Sequence, residues 1–431
     1  MYEFKPYLTN DGTIGLYNED FDDIYHSATG ALTESYEKFI LPINFNLLLK
    51  KEKINILDIC YGIGYNSKSF LNFIFEKINN KSTHIDTIHS NKIISKSLCY
   101  NDKIYSNNNS NKLGNNYIDN NIETIYTNNI YNKISITAVD NDKILSFLSP
   151  FIKTNIKNFS NENLNFKYES IKKYLAKNFS KTNIKINKII NFLIFDKIAQ
   201  NYPEIYQESD LISILFDKKY NGIFDTEIRG IFSLDTNDIS INAHNVYKQS
   251  FLHNIYYKHI SNKYKNKLKA YNLLRINFQL KIDDARNVIK NDNNLYNVIF
   301  LDAFTPTKCP CLWSLEFFKQ LYNHLEQDGI ILTYSTSASV RNAMVNAGLF
   351  IGNIYNGKEN KNIGTIAAKN ESLINSPLSE YDLGLLKTRA GIFYRDENLI
   401  GLNEAIVKRR NFEVENSNLI SSSQYNKTHK V

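Results

Sequence analysis

The sequence predicts an α/β fold: a mostly parallel seven-stranded sheet covered by helices, finished by an antiparallel hairpin and opened by inserted segments. Three observations carry this. Short apolar runs of strand length recur along the chain, helical patterns follow several of them, and two long stretches of other composition separate them. Strands alternating with helices mark a parallel α/β sheet. Runs that are apolar on both faces suit the centre of a covered sheet.

The first strand is read at "INILDI", Ile54–Ile59. A helix follows in "NSKSFLNFIFEKI", with Phe70, Leu71, Ile74 and Ile78 at one-face spacing. The second strand is "ISITAVD" (Ile134–Asp140), the third "INFQLKI" (Ile276–Ile282), the fourth "NVIFLD" (Asn297–Asp302) and the fifth "GIILTYS" (Gly329–Ser335). Each is rich in Ile, Val, Phe or Thr and bounded by polar or turn residues. "SLEFFKQLYNHL" follows the fourth with Leu315, Phe318, Leu321, Tyr322 and Leu325 in helical register, and "ASVRNAMVNAGL" follows the fifth. "LFIGNIYNGKENKNIGTIAAK" reads as two strands around a polar loop holding Gly357, a hairpin. One domain is expected over 1–369. It is interrupted by an Asn-rich low-complexity insertion at 79–132 and a mostly helical inserted subdomain at 151–270. Residues 370–431 form a C-terminal extension to which the sequence assigns no chemistry.

The chain has 431 residues, 42% of them hydrophobic, which is enough for a large core, and its net charge of +7 is compatible with a polyanionic partner. No apolar run reaches the ~18 residues of a membrane span. The opening "MYEFKPYLTNDG" lacks the apolar segment of a secretory signal. Cys60, Cys99, Cys309 and Cys311 are too few for a disulfide framework in a chain of this size. A cytoplasmic protein with reduced thiols is therefore expected. No metal is expected either, because Cys309-x-Cys311 lacks the further ligands of a zinc site.

The candidate chemistry sits at strand ends. In "DICYGIGYNSKSF", Asp58 is followed by Gly62 and Gly64 and a helix opening near Asn66. Glycines let the backbone approach a ligand, and a helix start supplies N–H donors. The rival reading is a tight turn with no ligand. A nucleoside cofactor also wants an acid after the second strand to hold ribose hydroxyls. Asp140 ends an apolar strand and is preferred; Asp86, at the usual spacing of about 20 residues from the glycines, is the alternative. In "KIDDARNVI", Asp283 or Asp284 could accept from an adenine amino group, or cap a helix. Asp302 ends the fourth strand, where ligands of open α/β sheets bind. The two prolines of "AFTPTKCPCLW" stiffen the loop that follows. A capping acid in a rigid turn is the alternative there.

This last stretch resembles the methyltransferase half of the MnmC family, bifunctional tRNA enzymes that complete 5-methylaminomethyl-2-thiouridine at the wobble position. The family pattern D-G-F-A-P-x-K-x-P-x-x-W is matched in register by Asp302, Phe304, Pro306, Lys308, Pro310 and Trp313, with Ala303 in place of glycine. "TSASVR", ending in Arg341, is similar to a downstream family element. "FDDIYHSATGALTE" is similar to an N-terminal one, giving Asp22, Asp23, Tyr25, Ser27 and Glu34. The resemblance covers roughly 15–75, 134–145 and 275–369. In the glycine turn Asp58 replaces the family's glutamate and Cys60 its first glycine, and the basic hairpin is reduced to "NGKENKN".

The resemblance implies a Rossmann-like class I methyltransferase fold and S-adenosyl-L-methionine as cofactor. The cofactor would be held by Asp58, Gly62, Gly64, Asn66, Asp140 and Asp283 or Asp284. The implied reaction methylates the amine of 5-aminomethyl-2-thiouridine in tRNA, without the flavin oxidase half and in a functional link to the enzymes that act earlier on that uridine. Asp302 would take the amine's proton, Asp22 and Tyr25 would close the pocket, and Phe304, Pro306, Lys308, Trp313 and Arg341 would contact substrate. The rivals are an aminopropyltransferase-like enzyme on the same fold and a non-catalytic RNA-binding module on a degenerate one.

Overall fold

The computed structural model describes residues 4–19, 22–25, 30–80, 133–153, 181–220, 222–230, 261–269, 273–356 and 361–429. A small antiparallel sheet comes first: β1 (Lys5–Leu8), β2 (Ile14–Asn18) and β3 (Asp23–Ile24). Nothing in the sequence marked it. Its strands are too short to show an alternation.

The main sheet contains β4 (Ile54–Ile59), β5 (Ile134–Asp140), β6 (Asn277–Ile282), β7 (Tyr296–Leu301), β8 (Leu325–Thr333), β9 (Phe350–Tyr355) and β10 (Asn362–Ala368). Their order is β6-β5-β4-β7-β8-β10-β9. Pairing is parallel from β6 through β8, and β10 runs antiparallel to both β8 and β9. β4 and β7 lie centrally and are apolar on both faces, as a covered sheet requires. β6 lies at the edge, where exposed Asn277 and Gln279 alternate with buried Phe278 and Leu280. β8 starts at Leu325 rather than Gly329, because the register slips between the Tyr296–Leu325 and Val298–Ile330 pairs. Gly329 sits at that slip, where an added Cβ would lie 2.7 Å from the Tyr296 carbonyl.

The helix Tyr65–Asn80 differs from the one-sided helix the spacing predicts. Every residue from Tyr65 to Phe75 is buried. The sheet covers one side, the segment Ala31–Ile40 a second and the helix Lys181–Asn201 a third. The helix also runs into the segment expected to begin the Asn-rich insertion at 79; residues 81–132, with the alternative acid Asp86, lie outside the described residues. In the 151–270 stretch the described helices share the sheet's core. Phe192, Leu193 and Phe195 of Lys181–Asn201 pack in one cluster with Phe147, Phe151 and Phe278. Gly357 and the aromatic run at 251–260 lie outside the described residues.

A second core covers the other face. Leu57, Ile59, Ile299 and Leu301 meet Trp313, Phe317, Leu321, Val340 and Met344 there. The tail joins it through Leu378, Leu386, Tyr394, Leu399 and Ile406. Polar links fix the tail: Arg286 reaches Asp284 and Asp396, each at 2.7 Å, and Leu315 N donates to Tyr394 O at 3.0 Å.

Candidate active site

β4, β5, β6 and β7 all end at one edge of the sheet. Asp140 closes β5, Asp283 follows β6 and Asp302 follows β7. Between β4 and the helix Tyr65–Asn80 the chain turns sharply, with Cys60, Gly62 and Gly64 at φ of 62°, 54° and 78°. A Cβ on Gly64 would lie 2.4 Å from the Tyr61 ring, so the turn requires glycine there. Cys60 holds a backbone conformation that costs an L-residue roughly 1–2 kcal/mol. The turn is pinned from several sides. Gly62 N donates to Asp140 Oδ2 at 2.6 Å, and Tyr61 N to Val139 O at 3.0 Å. Lys68 Nζ donates to the carbonyls of Ile63 at 2.9 Å and Ser149 at 2.7 Å. Beneath it, Asp58 Oδ2 accepts from Ser67 N at 3.1 Å and Ser67 Oγ at 2.6 Å. Burial pushes the carboxyls of Asp58 and Asp140 up to about 8 and about 6, and pulls the Lys68 ammonium down to about 7.

Asp302 stands beside this turn. Its Oδ2 accepts from Asn66 Nδ2 at 2.9 Å, and its own N–H donates to Ile59 O at 3.3 Å. Burial first, and then the charge of Glu34, raise its carboxyl to about 7; the Asn66 hydrogen bond and the charge of Lys38 act against them. The loop behind it is held by more than its prolines. Trp313 Nε1 donates to Phe304 O at 2.8 Å and the Tyr334 hydroxyl to Ala303 O at 2.8 Å. Thr305 N donates to Asp23 Oδ2 at 3.3 Å, and Thr305 O accepts from Lys308 N and Cys309 N around Pro306.

The N-terminal segment closes over both. The Tyr25 ring meets Phe304 edge-on at 4.8 Å, and a Cβ added to Gly62 would lie 3.4 Å from it. Tyr25 thus bridges the glycine turn and the Asp302 loop. Burial, then the nearby Asp140, push its phenol well above the usual range. Asp22 faces outward, accepting from Tyr17 at 2.6 Å and lying 3.7 Å from Lys308. Two further residues come to the site that the sequence did not single out. Lys38 pairs with Glu34 and lies 5.4 Å from the centre of the Tyr334 ring. A Glu and a Lys four apart in the sequence were the only hint. Ser27 lies outside the described residues.

Several expected contacts are otherwise employed. Trp313 is 0% exposed, packed among Phe318 and Tyr334, so it braces the loop instead of touching substrate. Arg341 is buried and bonded to Thr365 Oγ1 at 2.9 Å and Asn353 Oδ1 at 2.7 Å, tying a helix to the hairpin. Asp284 caps the helix Ala285–Lys290 and pairs with Arg286, which leaves exposed Asp283 as the acid at that corner. Asp58 caps a helix start from beneath, and Asn66 spends its amide N–H on Asp302. The Cys60 side chain packs toward the core that holds Cys311 and Trp313. Among the described residues no cluster of His, Cys, Asp or Glu could hold a metal.

The edge fits a cationic nucleoside cofactor. Three carboxyls (Asp58, Asp140 and Asp302) are desolvated together, and the charges of Asp302 and Asp140 add to the burial of Asp58. Buried carboxyls without a counter-charge hold their protons, and a bound cation would favour their ionised forms. Asp58 Oδ1 and Asn66 Oδ1 are buried without partners. Asp140 keeps acceptor capacity on each oxygen beyond the Gly62 and Asp142 amides that it already holds.

Residues 247–370 match the model of a family described as S-adenosyl-L-methionine-dependent methyltransferase. The Asp302–Trp313 stretch and Arg341 fall inside that match. The uncharacterized protein MJ0670 of Methanocaldococcus jannaschii is 30% identical over 156 residues, 34% of this chain. The chain spans only 44% of that relative's length. The crystal structure of MNMC2 from Aquifex aeolicus superposes with a TM-score of 0.49 at 17% identity, over 97% of this chain and 87% of that one, a likeness too slight to carry an inference. The sheet order and the matched segment agree: the chain has the class I methyltransferase fold, carries an S-adenosyl-L-methionine-dependent methyltransferase segment over residues 247–370, and takes S-adenosyl-L-methionine as its cofactor.

Proposed function

We propose that the protein methylates the primary amine of 5-aminomethyl-2-thiouridine at the wobble position of tRNA, downstream of the enzymes that install the aminomethyl group. The observation that carries this reading is a desolvated carboxyl, Asp302, fixed at the cofactor edge of the sheet by a braced loop. The glycine turn and Asp140, with Asp283 at the β6 corner, would hold the cofactor, which when bound supplies an electrophilic methyl group on a sulfonium. An alkylammonium has no lone pair, so it must lose a proton before it reacts. In this reading the Asp302 carboxylate receives that proton. A carboxyl at its ordinary value of about 3.9 is a poor base toward an amine near 10.4; raising it to about 7 removes on the order of 4 kcal/mol of that mismatch. Tyr25 and Phe304 set two aromatic rings in edge-on contact over the turn. Pro306 keeps the loop's turn, and in this reading Lys308, exposed beside Asp22, meets a tRNA phosphate. The test is mass spectrometry of wobble nucleosides from cells lacking the gene. Accumulated 5-aminomethyl-2-thiouridine supports the reading, and an unchanged nucleoside profile sinks it.

A further inference from the structure

Beside Asp302 the structure already holds one alkylammonium, and it belongs to the chain itself. Lys38 lies in a single π-helical stretch, Tyr36–Ile40, closed by Leu41 N donating to Tyr36 O at 2.9 Å. Such bulges are uncommon and re-aim side chains, often at functional sites. The Lys38 ammonium pairs with Glu34, and both side chains are largely buried, at 18% and 12% exposure. The same ammonium faces the Tyr334 ring at 5.4 Å. That ring cannot turn away, because its hydroxyl is spent on Ala303 O. Glu34 is the strongest charge acting on Asp302. Asn66, buried on the other side of Asp302, holds that carboxyl in place through its amide N–H. A carboxylate and an aromatic face around a single positive charge are the parts of an ammonium-binding cage.

We propose that Glu34 and the Tyr334 face form the seat for the substrate's ammonium, and that Lys38 is a built-in placeholder which must leave the seat before substrate enters. This rests on the reading of an amine-bearing substrate and names the residues that would recognise it. Lys38 then acts as a competitor. A seat filled by the chain's own side chain weakens apparent affinity by the fraction of time it is vacant. The arrangement also explains why a lysine should be drawn in beside two acids when solvent is close at hand. It keeps the charge of Glu34 compensated until the substrate's ammonium replaces it.

The experiment uses the full chain and two variants, Lys38→Met and Glu34→Gln, each first shown to unfold at the wild-type temperature within a few degrees. With cofactor saturating and the aminomethyl tRNA as substrate, Lys38→Met should lower KM about five- to tenfold, the change falling on KM more than on kcat. Glu34→Gln should raise KM at least about tenfold, as expected for loss of a charge-assisted contact. An unchanged or raised KM in Lys38→Met overturns the proposal. Calorimetry with n-butylammonium, which needs no methyl transfer, decides the matter separately. Binding should be about five- to tenfold tighter in Lys38→Met than in wild type and absent in the Lys38→Met, Glu34→Gln double variant. Equal affinity in wild type and Lys38→Met overturns it. A wild-type protein that binds the amine in this pattern yet transfers no methyl group would sink the proposed reaction and leave the seat standing.

Discussion

Replacing Asp302 by Asn keeps its shape and its place beside Asn66 while removing the base. Methyl transfer should fall about 10²- to 10⁴-fold, with cofactor affinity by calorimetry within a few fold of wild type. Near-normal turnover would remove Asp302 from the chemistry. In the proposed reaction the carboxylate is the active form, and burial raises its carboxyl to about 7. Activity should therefore rise with pH through about 7 and be lost below it, and kcat/KM measured from pH 5.5 to 8.5 checks the sign. Cys60 supplies a second residue-scale test. With φ at 62° it occupies a glycine-like conformation. Cys60→Gly should raise the free energy of unfolding, read by urea denaturation, by about 1 kcal/mol, the relief of backbone strain outweighing glycine's greater freedom in the unfolded chain. A loss of stability would mean that the thiol's packing toward Cys311 matters more than the strain.

At the scale of elements, the turn and the Asp302 loop are one clamp, joined through Tyr25 and Phe304. Trp313→Phe keeps most of the buried ring and removes the hydrogen bond to Phe304 O. It should cost about 1–2 kcal/mol of stability, read by urea denaturation, and lower kcat more than it raises KM, because the loop's position is what changes. Much of this level was legible in the sequence. β4 and β5 begin and end where the apolar runs do, because strands covered on both faces leave an unbroken pattern. The placement of Asp302 followed from the rule that ligands meet the carboxyl ends of strands. The directions of Trp313 and Arg341 did not follow. A matched motif shows that a residue type belongs at a position, and both an inward brace and an outward contact satisfy it. The meeting of Lys38 and Tyr334 was hidden for another reason: it needs a π-helical turn packed against the end of β8, and long-range packing of that kind leaves no local pattern.

For the molecule as a whole, the buried carboxyls set a pH dependence of stability. Asp58, Asp140 and Asp302 titrate at about 8, 6 and 7 in the folded chain, against about 4 when unfolded. Between pH 4 and 8 the folded chain therefore holds more protons than the unfolded one, and stability falls as pH rises. Lys68, at about 7 when folded against about 10.4 when unfolded, opposes this only above pH 7. The cofactor-free protein should thus melt at a higher temperature at pH 5.5 than at pH 7. Added S-adenosyl-L-methionine should narrow the difference by compensating the same carboxylates. A melting temperature that climbs over that interval would mean these acids are hydrated. The tail has a practical corollary for anyone trimming the gene. Tyr394 lies against the start of the helix Leu315–Asn323, and Asp396 supplies half of Arg286's counter-charge. An expression fragment stopped at Ala368 would present a bare oily slab and a half-neutralised guanidinium to water, and inclusion bodies are the outcome to plan for.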